Sequence, residues 1–147
     1  MELRKAKSAD VAAIDGLVQR AYGRYVSRIG RPPGPMEDDY EAKVGEGLVT
    51  VADDGGEVVG LIVLVEEPDC LLVENVAVEP ERQSEGIGRA LLAYAEDVAR
   101  GAGLSALRLY THVTMTENLA FYPRLGYEET GHSTDDGFER VFFRKRL

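Results

Sequence analysis

The stretch LLVENVAVEPERQSEGIGRALLAYAEDVAR, residues Leu71 to Arg100, decides how the chain is organised. Leu71, Val73, Val76 and Val78 predict a mostly buried strand, and Pro80 stops it. Gln83-Ser84-Glu85-Gly86-Ile87-Gly88 follows, then a helix with Ile87, Leu91, Tyr94 and Val98 on one face. A strand, a glycine-containing turn and a helix form an anion-binding device. The first N–H groups of the helix lack intrahelical partners, and the macrodipole adds roughly half a positive charge there. Gly86 and Gly88 remove side chains that would hold a phosphate off the backbone. The segment therefore predicts a site for a phosphorylated ligand.

Two familiar phosphate motifs are absent. Leu91 stands where the dinucleotide fingerprint G-x-G-x-x-G needs its third glycine, and the Gly-Lys-Ser/Thr of a P-loop is missing. A tight turn before a core helix would account for the glycine pair taken alone. What fits the whole context is Q/R-x-x-G-x-G/A after a strand ending in V-x-P, here Val78-Glu79-Pro80, Gln83 to Gly88 and Arg89-Ala90-Leu91-Leu92. This resembles the acetyl-CoA pyrophosphate motif of the GNAT superfamily of N-acetyltransferases.

The remaining chain predicts an α/β (α+β) order. Glu2–Lys7 reads as a strand, and Ser8 as the N-cap of a helix over Asp10–Tyr25 with Val11, Ile14, Leu17, Val18 and Ala21 buried. Gly30 to Pro35 carries three prolines and predicts irregular chain before a polar helix over Met36–Val44. Leu48–Ala52 and Val58–Val65 predict a hairpin around Asp53-Asp54-Gly55-Gly56, with Gly60 marking a bulge or a close backbone approach. Ala106–Thr111 reads as a strand with Leu107 and Leu109 on one face and Arg108 and Tyr110 on the other. Thr114 to Glu117 matches a capping box for a helix over Met115–Leu125. Pro123 should kink that helix or free the Leu119 carbonyl. Tyr127–Gly131 and Phe138–Lys145 predict a closing hairpin around Ser133 to Gly137. The expected fold is a mixed, mostly antiparallel sheet of about seven strands with helices on both faces, in one domain spanning residues 1–147. This is also the element order of the GNAT fold, so the resemblance covers essentially the whole chain.

A second pattern strengthens it. Asn118 and Tyr122 are four residues apart, on one helix face. They sit in Asn118-Leu119-Ala120-Phe121-Tyr122-Pro123-Arg124-Leu125-Gly126-Tyr127, which resembles the superfamily pattern N-x-x-x-Y-x-x-x-G-[FY]. The resemblance implies an acetyl-CoA-dependent acyltransferase acting on a primary amine. It implies cofactor contacts from Val76, Ala77, Val78, Gln83, Ser84, Glu85, Gly86, Ile87, Gly88 and Arg89, with Asn118 on the pantetheine arm. Tyr122 is then the general acid for the leaving thiolate, a nearly matched exchange between a phenol near pKa 10 and a thiol near 8.5. For a base that neutralises the attacking amine, Glu74 comes first, and Tyr110, His112 or water remain open. Relatives carry Lys or Arg just before Gly86, where this chain has Glu85, which predicts weaker cofactor binding unless Arg82 and Arg89 compensate.

Composition bounds the partners. The 147 residues are 44% hydrophobic and 29% charged, and the net charge of −9 argues against nucleic acid. No apolar run of membrane-spanning length occurs, and the N-terminus reads as a strand without an apolar leader. One cysteine, Cys70, rules out an internal disulfide and makes the cytoplasm the default compartment. No metal is expected, and a homodimer is compatible with this reading. Glu37, Asp38, Asp39, Glu41 and Glu46 lie in the segment expected to face the acceptor, which favours a small cationic amine. Two alternatives stay open: an acyl-CoA-binding sensor without catalysis, and acetylation of a protein or peptide N-terminus.

Overall fold

Seven strands form the sheet. They are β1 (Glu2–Lys5), β2 (Val49–Asp54), β3 (Glu57–Glu66), β4 (Leu71–Val78), β5 (Ala106–His112), β6 (Glu128–Asp135) and β7 (Phe138–Arg146). β3 is a continuous buried run, and burial alternates in β7 along residues 140–144. Helices α1 (Val11–Tyr22), α2 (Val26–Ile29), α3 (Tyr40–Gly45), α4 (Ile87–Gly101) and α5 (Thr116–Arg124) separate them. The computed structural model describes Met1–Leu147. The strand order is β1-β2-β3-β4-β5-β7-β6. β1–β2, β2–β3, β5–β7 and β6–β7 pair antiparallel, and β4–β5 pairs parallel, so the expected mixed, mostly antiparallel sheet is present. No helix is long and apolar enough to cross a membrane.

The chain divides into two compact units, Met1–Leu64 with Asn75–Tyr94, and Val65–Glu74 with Ala95–Leu147. In the first, Ile14, Leu17, Val18 and Ala21 of α1 pack with Val49, Val51, Leu61 and Val63 of β2 and β3. Gly60 alternates with Leu61 and so faces the other way, toward α4. A Cβ there would stand 2.9 Å from Ile87 Cγ2 and 3.3 Å from the Ala77 carbonyl. Both sequence readings of Gly60 hold, because the β2–β3 register also shifts there, from Ala52↔Gly60 to Asp53↔Val58. In the second unit, Tyr122 of α5 packs its ring on Phe143 of β7 (centroids 5.8 Å apart) and on Tyr127 (5.5 Å). Lys145, two residues beyond Phe143 and on the same face, donates to Glu96 of α4 at 2.9 Å.

Several boundaries move. The first helix begins at Val11, after a 3-10 turn over Ser8–Asp10, and stops at Tyr22, with further turns at Gly23–Tyr25 and α2. Asp10, not Ser8, serves that start: its carboxylate accepts the Lys7 N–H at 2.8 Å. The helix expected at Met36 begins at Tyr40, because Pro35 belongs to a 3-10 turn over Gly34–Glu37 and Asp39 caps α3 through the Ala42 N–H. The second strand begins at Val49 and runs to Asp54, and its turn tightens to Gly55-Gly56. The long helix buries Ile87, Leu91, Leu92, Ala95 and Ala99, while Tyr94 and Val98 are only half-buried. α5 starts at Thr116 with Met115 as its N-cap residue, and it ends one residue after Pro123, in a last turn tightened by Leu125 N–H to Tyr122 O. The closing hairpin turns at Asp136-Gly137, both at positive φ, so β6 reaches Asp135.

Arg4 clamps the start of the fold. Its guanidinium bonds both Asp10 oxygens, at 2.8 and 3.0 Å, and Asp53 at 2.9 Å. The hydrogen bonds from Arg4 hold the buried Asp10 carboxyl down at about 2, below its ordinary 3.8. Folding thus favours the deprotonated form. The stabilisation is present in full above the unfolded value and disappears as pH falls toward 2. Asp10→Asn is expected to lose about 2 kcal/mol at neutral pH, on the scale of such a shift. Urea denaturation of both proteins should show that gap narrowing below about pH 4, where the unfolded wild-type carboxyl takes up its proton, and nearly closed by about pH 2.

Candidate active site

The loop after β4 has the geometry of an anion cradle. Pro80–Arg82 forms a 3-10 turn, Gln83 is extended, and Ser84 and Gly86 both adopt left-handed backbone, at φ 74° and 85°. Such a conformation is cheap for Gly86 and strained for Ser84, and strain of this kind collects at functional loops. The first rung of α4 runs from the Ala90 N–H to the Gly86 carbonyl at 3.0 Å. The N–H groups of Gly86, Ile87, Gly88 and Arg89 precede that rung and have no acceptor within the helix. A Cβ at Gly86 would meet nothing within 4 Å, and one at Gly88 only Val78 Cγ2 at 3.6 Å, so the backbone at this end is open.

The loop's charges are already arranged. Arg82 donates from Nε to Glu85 at 2.9 Å and from Nη2 to Asp54 at 2.7 Å, and these bonds raise its own pKa. The carboxylate of Glu85 is thereby engaged by the cation that the sequence offered as compensation. Arg89 is exposed on the first turn of α4. Gln83 reaches back to the Val78 carbonyl through a long contact of 3.5 Å. Glu79 takes both Nε and Nη2 of Arg20, at 2.9 and 2.7 Å.

The strand half of this unit contains a residue that sequence reasoning missed as a side chain. Asn75 is 4% exposed, a buried amide two residues before the buried Ala77 of β4. Its Nδ2 donates to Tyr40 Oη at 2.8 Å, and Tyr40 in turn donates to the Pro35 carbonyl at 2.6 Å. Tyr22 Oη bonds Asn75 Oδ1 and lies 3.1 Å from the Val76 carbonyl. The segment Tyr22–Tyr40 is therefore tied through two phenols to the strand residues 75 and 76. The signal was available: a lone amide at an inward position of an apolar strand needs partners. Asn75→Ala should cost about 1–3 kcal/mol, since it leaves buried groups unpaired, and a lowered urea midpoint at unchanged slope would show it.

The second unit carries the other residues singled out. Asn118 Nδ2 donates to Thr111 Oγ1 at 3.0 Å and lies 3.7 Å from Met115 Sδ. Tyr122, 5% exposed, stacks edge-on against Phe121 (5.3 Å) as well as on Tyr127 and Phe143. The Tyr127 hydroxyl is buried without a partner, and burial pushes its pKa up. Asn118 and Tyr122 thus share the face of β5 marked by Thr111. Tyr110 and His112 alternate to the opposite face, where Tyr110 meets Phe142 at 5.7 Å and carries Arg140 over its ring at 4.5 Å. His112 Nδ1 accepts the Thr114 N–H at 3.1 Å, which puts the proton of the neutral ring on Nε2. Glu74 is half-buried in β4, next to the end of the β4–β5 pairs at Val73↔Leu109. Cys70 is buried beside Glu67, its Sγ 3.2 Å from the carboxylate, and burial raises its pKa, which suits a structural thiol.

The model of the acetyltransferase (GNAT) family matches residues 14–127. N-acetyltransferase family 8 member 3 of Rattus norvegicus is 33% identical over 87 residues, 55% of this chain and 38% of that protein. The [ribosomal protein bS18]-alanine N-acetyltransferase of Escherichia coli (strain K12) is 34% identical over 70 residues, 44% of this chain and 47% of that protein. The chain thus spans less than half the length of these relatives. The crystal structure of PaiA N-acetyltransferase from Thermoplasma acidophilum, in complex with coenzyme A, superposes with a TM-score of 0.83 at 18% identity, over 99% of this chain and 98% of that one. The family match covers most of the sequence, from the first helix through the Asn118–Tyr127 pattern: the chain belongs to the acetyltransferase (GNAT) family.

Proposed function

We propose that the protein is an N-acetyltransferase that moves the acetyl group of acetyl-CoA to a primary amine. The observation that carries this is the open, left-handed turn at Ser84 and Gly86 leading into the unpaired N–H groups of α4, in a chain of this family. Gln83, Ser84, Glu85, Gly86, Ile87, Gly88 and Arg89 are assigned the pyrophosphate. The backbone of Val76, Ala77 and Val78 is assigned the pantetheine arm, in the manner of an added strand, with Asn118 as a second contact.

The chemistry follows from charge balance. An alkyl ammonium near pKa 10.4 is deprotonated in only about one part in a few thousand at pH 7. Glu74, directly or through water, is assigned that proton. The amine nitrogen then attacks the thioester carbon, a C–N bond forms, and the oxyanion is served by strand N–H groups, at about 3 kcal/mol for such a donor. The C–S bond breaks as Tyr122 gives its proton to the departing thiolate, and the surplus proton on the attacking nitrogen returns to the Tyr122 phenolate through water, leaving an amide and the free thiol. His112 is the weaker base, because its Nδ1 is occupied by the Thr114 N–H.

For the acceptor, a small cationic amine is favoured by the acidic segment. Asp39 is engaged as the cap of α3, and Asp38 lies 3.9 Å from Lys43. Glu37, Glu41 and Glu46 are exposed and are assigned the steering. A protein N-terminus is the second reading, favoured by the likeness to the bS18-alanine enzyme. A thiol-release screen of acetyl-CoA against polyamines, neutral amino acids and peptides separates them. Steering predicts a kcat/KM for polyamines that falls with ionic strength and with Glu37→Gln. Equal rates for cationic and neutral amines, flat in salt, would remove it, and release with peptides alone would favour the second reading.

A further inference from the structure

Arg108 of β5 and Arg144 of β7 stand directly opposite each other in the antiparallel ladder, on the face away from Tyr122. Like charges so placed repel. Glu67 relieves one of them: Arg108 donates from Nε and Nη2 to its two oxygens, at 2.5 and 2.7 Å. Arg144 makes no side-chain hydrogen bond or ion pair, and Glu128, its cross-strand neighbour on β6, does not reach it. A half-buried guanidinium that cannot lose its proton is thus left without a counter-charge.

Beside it opens a cleft of about 330 Å³, lined by Arg108, Leu109, Phe142 and Arg144 and, from β6, by Thr130 and Gly131. The cleft owes its shape to a bulge. The β6–β7 register passes from Glu129↔Phe143 to Gly131↔Phe142, so Thr130 falls outside the ladder. Its hydroxyl makes no hydrogen bond, and a Cβ at Gly131 would meet nothing within 4 Å. The cleft lining thus includes an unpaired cation, Arg144, and a hydroxyl donor, Thr130. Phe142 lines it with an aromatic ring.

We infer that this cleft binds a small anion carrying an apolar ring, of the aryl carboxylate class. Its carboxylate bridges Arg144 and the Thr130 hydroxyl, and its ring lies along Phe142. A carboxylate fits the guanidinium fork in two-point fashion and supplies the charge that Glu67 supplies to Arg108. The site is independent of the acetyl-transfer residues assigned above.

Benzoate is the probe, with benzyl alcohol as its uncharged counterpart, followed by amide NMR shifts of the full chain. Saturable shifts at Thr130, Gly131 and His132 with benzoate, at least tenfold weaker with benzyl alcohol, are expected. Arg144→Gln should weaken benzoate binding at least tenfold without lowering Tm, because it also removes the facing like charge. Thr130→Val should weaken it less and remain folded. Equal binding of the alcohol, undiminished benzoate binding in folded Arg144→Gln, or no saturable shift at these amides would overturn the assignment.

Discussion

Gly88→Glu is expected to abolish acetyl-CoA binding in a protein that remains fully folded. The two halves of that expectation have separate causes. A Cβ at position 88 meets only Val78 Cγ2, at an ordinary 3.6 Å, so the fold has room for a side chain. Glutamate is a better helix former than glycine by up to about 1 kcal/mol, and its charge suits the first turn of α4. Stability should therefore hold or rise. The same charge, however, falls where the phosphates are proposed to sit, at the N–H groups of residues 86–89, and like charges set against each other cost several kcal/mol. Calorimetry should show affinity reduced by about a hundredfold or more, alongside an unchanged or raised Tm. Wild-type affinity in the folded variant would remove this loop as the pyrophosphate site.

Tyr122→Phe should lower kcat by about 10²–10⁴-fold while leaving acetyl-CoA affinity close to wild type. The ring is held by Phe121, Tyr127 and Phe143, so phenylalanine keeps the packing and deletes only the donor. Because the proposed donation occurs as the thiolate departs, the loss belongs to the chemical step and should appear equally in kcat and kcat/KM. Single-turnover measurement isolates that step. An unchanged single-turnover rate would leave Tyr122 as a packing residue.

Local patterns were legible where one element satisfies itself. The strand–turn–helix over Leu71–Arg100, the Gly60 irregularity and the inward stripe of α1 from Ile14 to Ala21 are written in period and in glycine position, and each is present, while Val11, expected in that stripe, is only half-buried. Boundaries failed where a distant side chain takes over a local role. Ser8 has the right type for a cap, but Arg4 and the Lys7 N–H converge on Asp10 instead. The same reason hid the Asn75 network, since Tyr22 and Tyr40 come from segments 53 and 35 residues away in sequence. The face on which Tyr110 and His112 lie follows from alternation alone, yet what occupies that face, the Arg108–Arg144 opposition and its cleft, depends on the β5–β7 register, which no local pattern specifies.

The measurement closest to the central claim is transfer itself, followed by mass spectrometry of acceptor and thiol together with acetyl-CoA and a mixed amine panel. The account predicts one acetylated amine for each thiol released, in the wild type, with formation slowed in Tyr122→Phe and absent in Gly88→Glu. Tight acetyl-CoA binding with no acetylated product from any small amine or peptide N-terminus would contradict it and leave the protein as an acyl-CoA sensor.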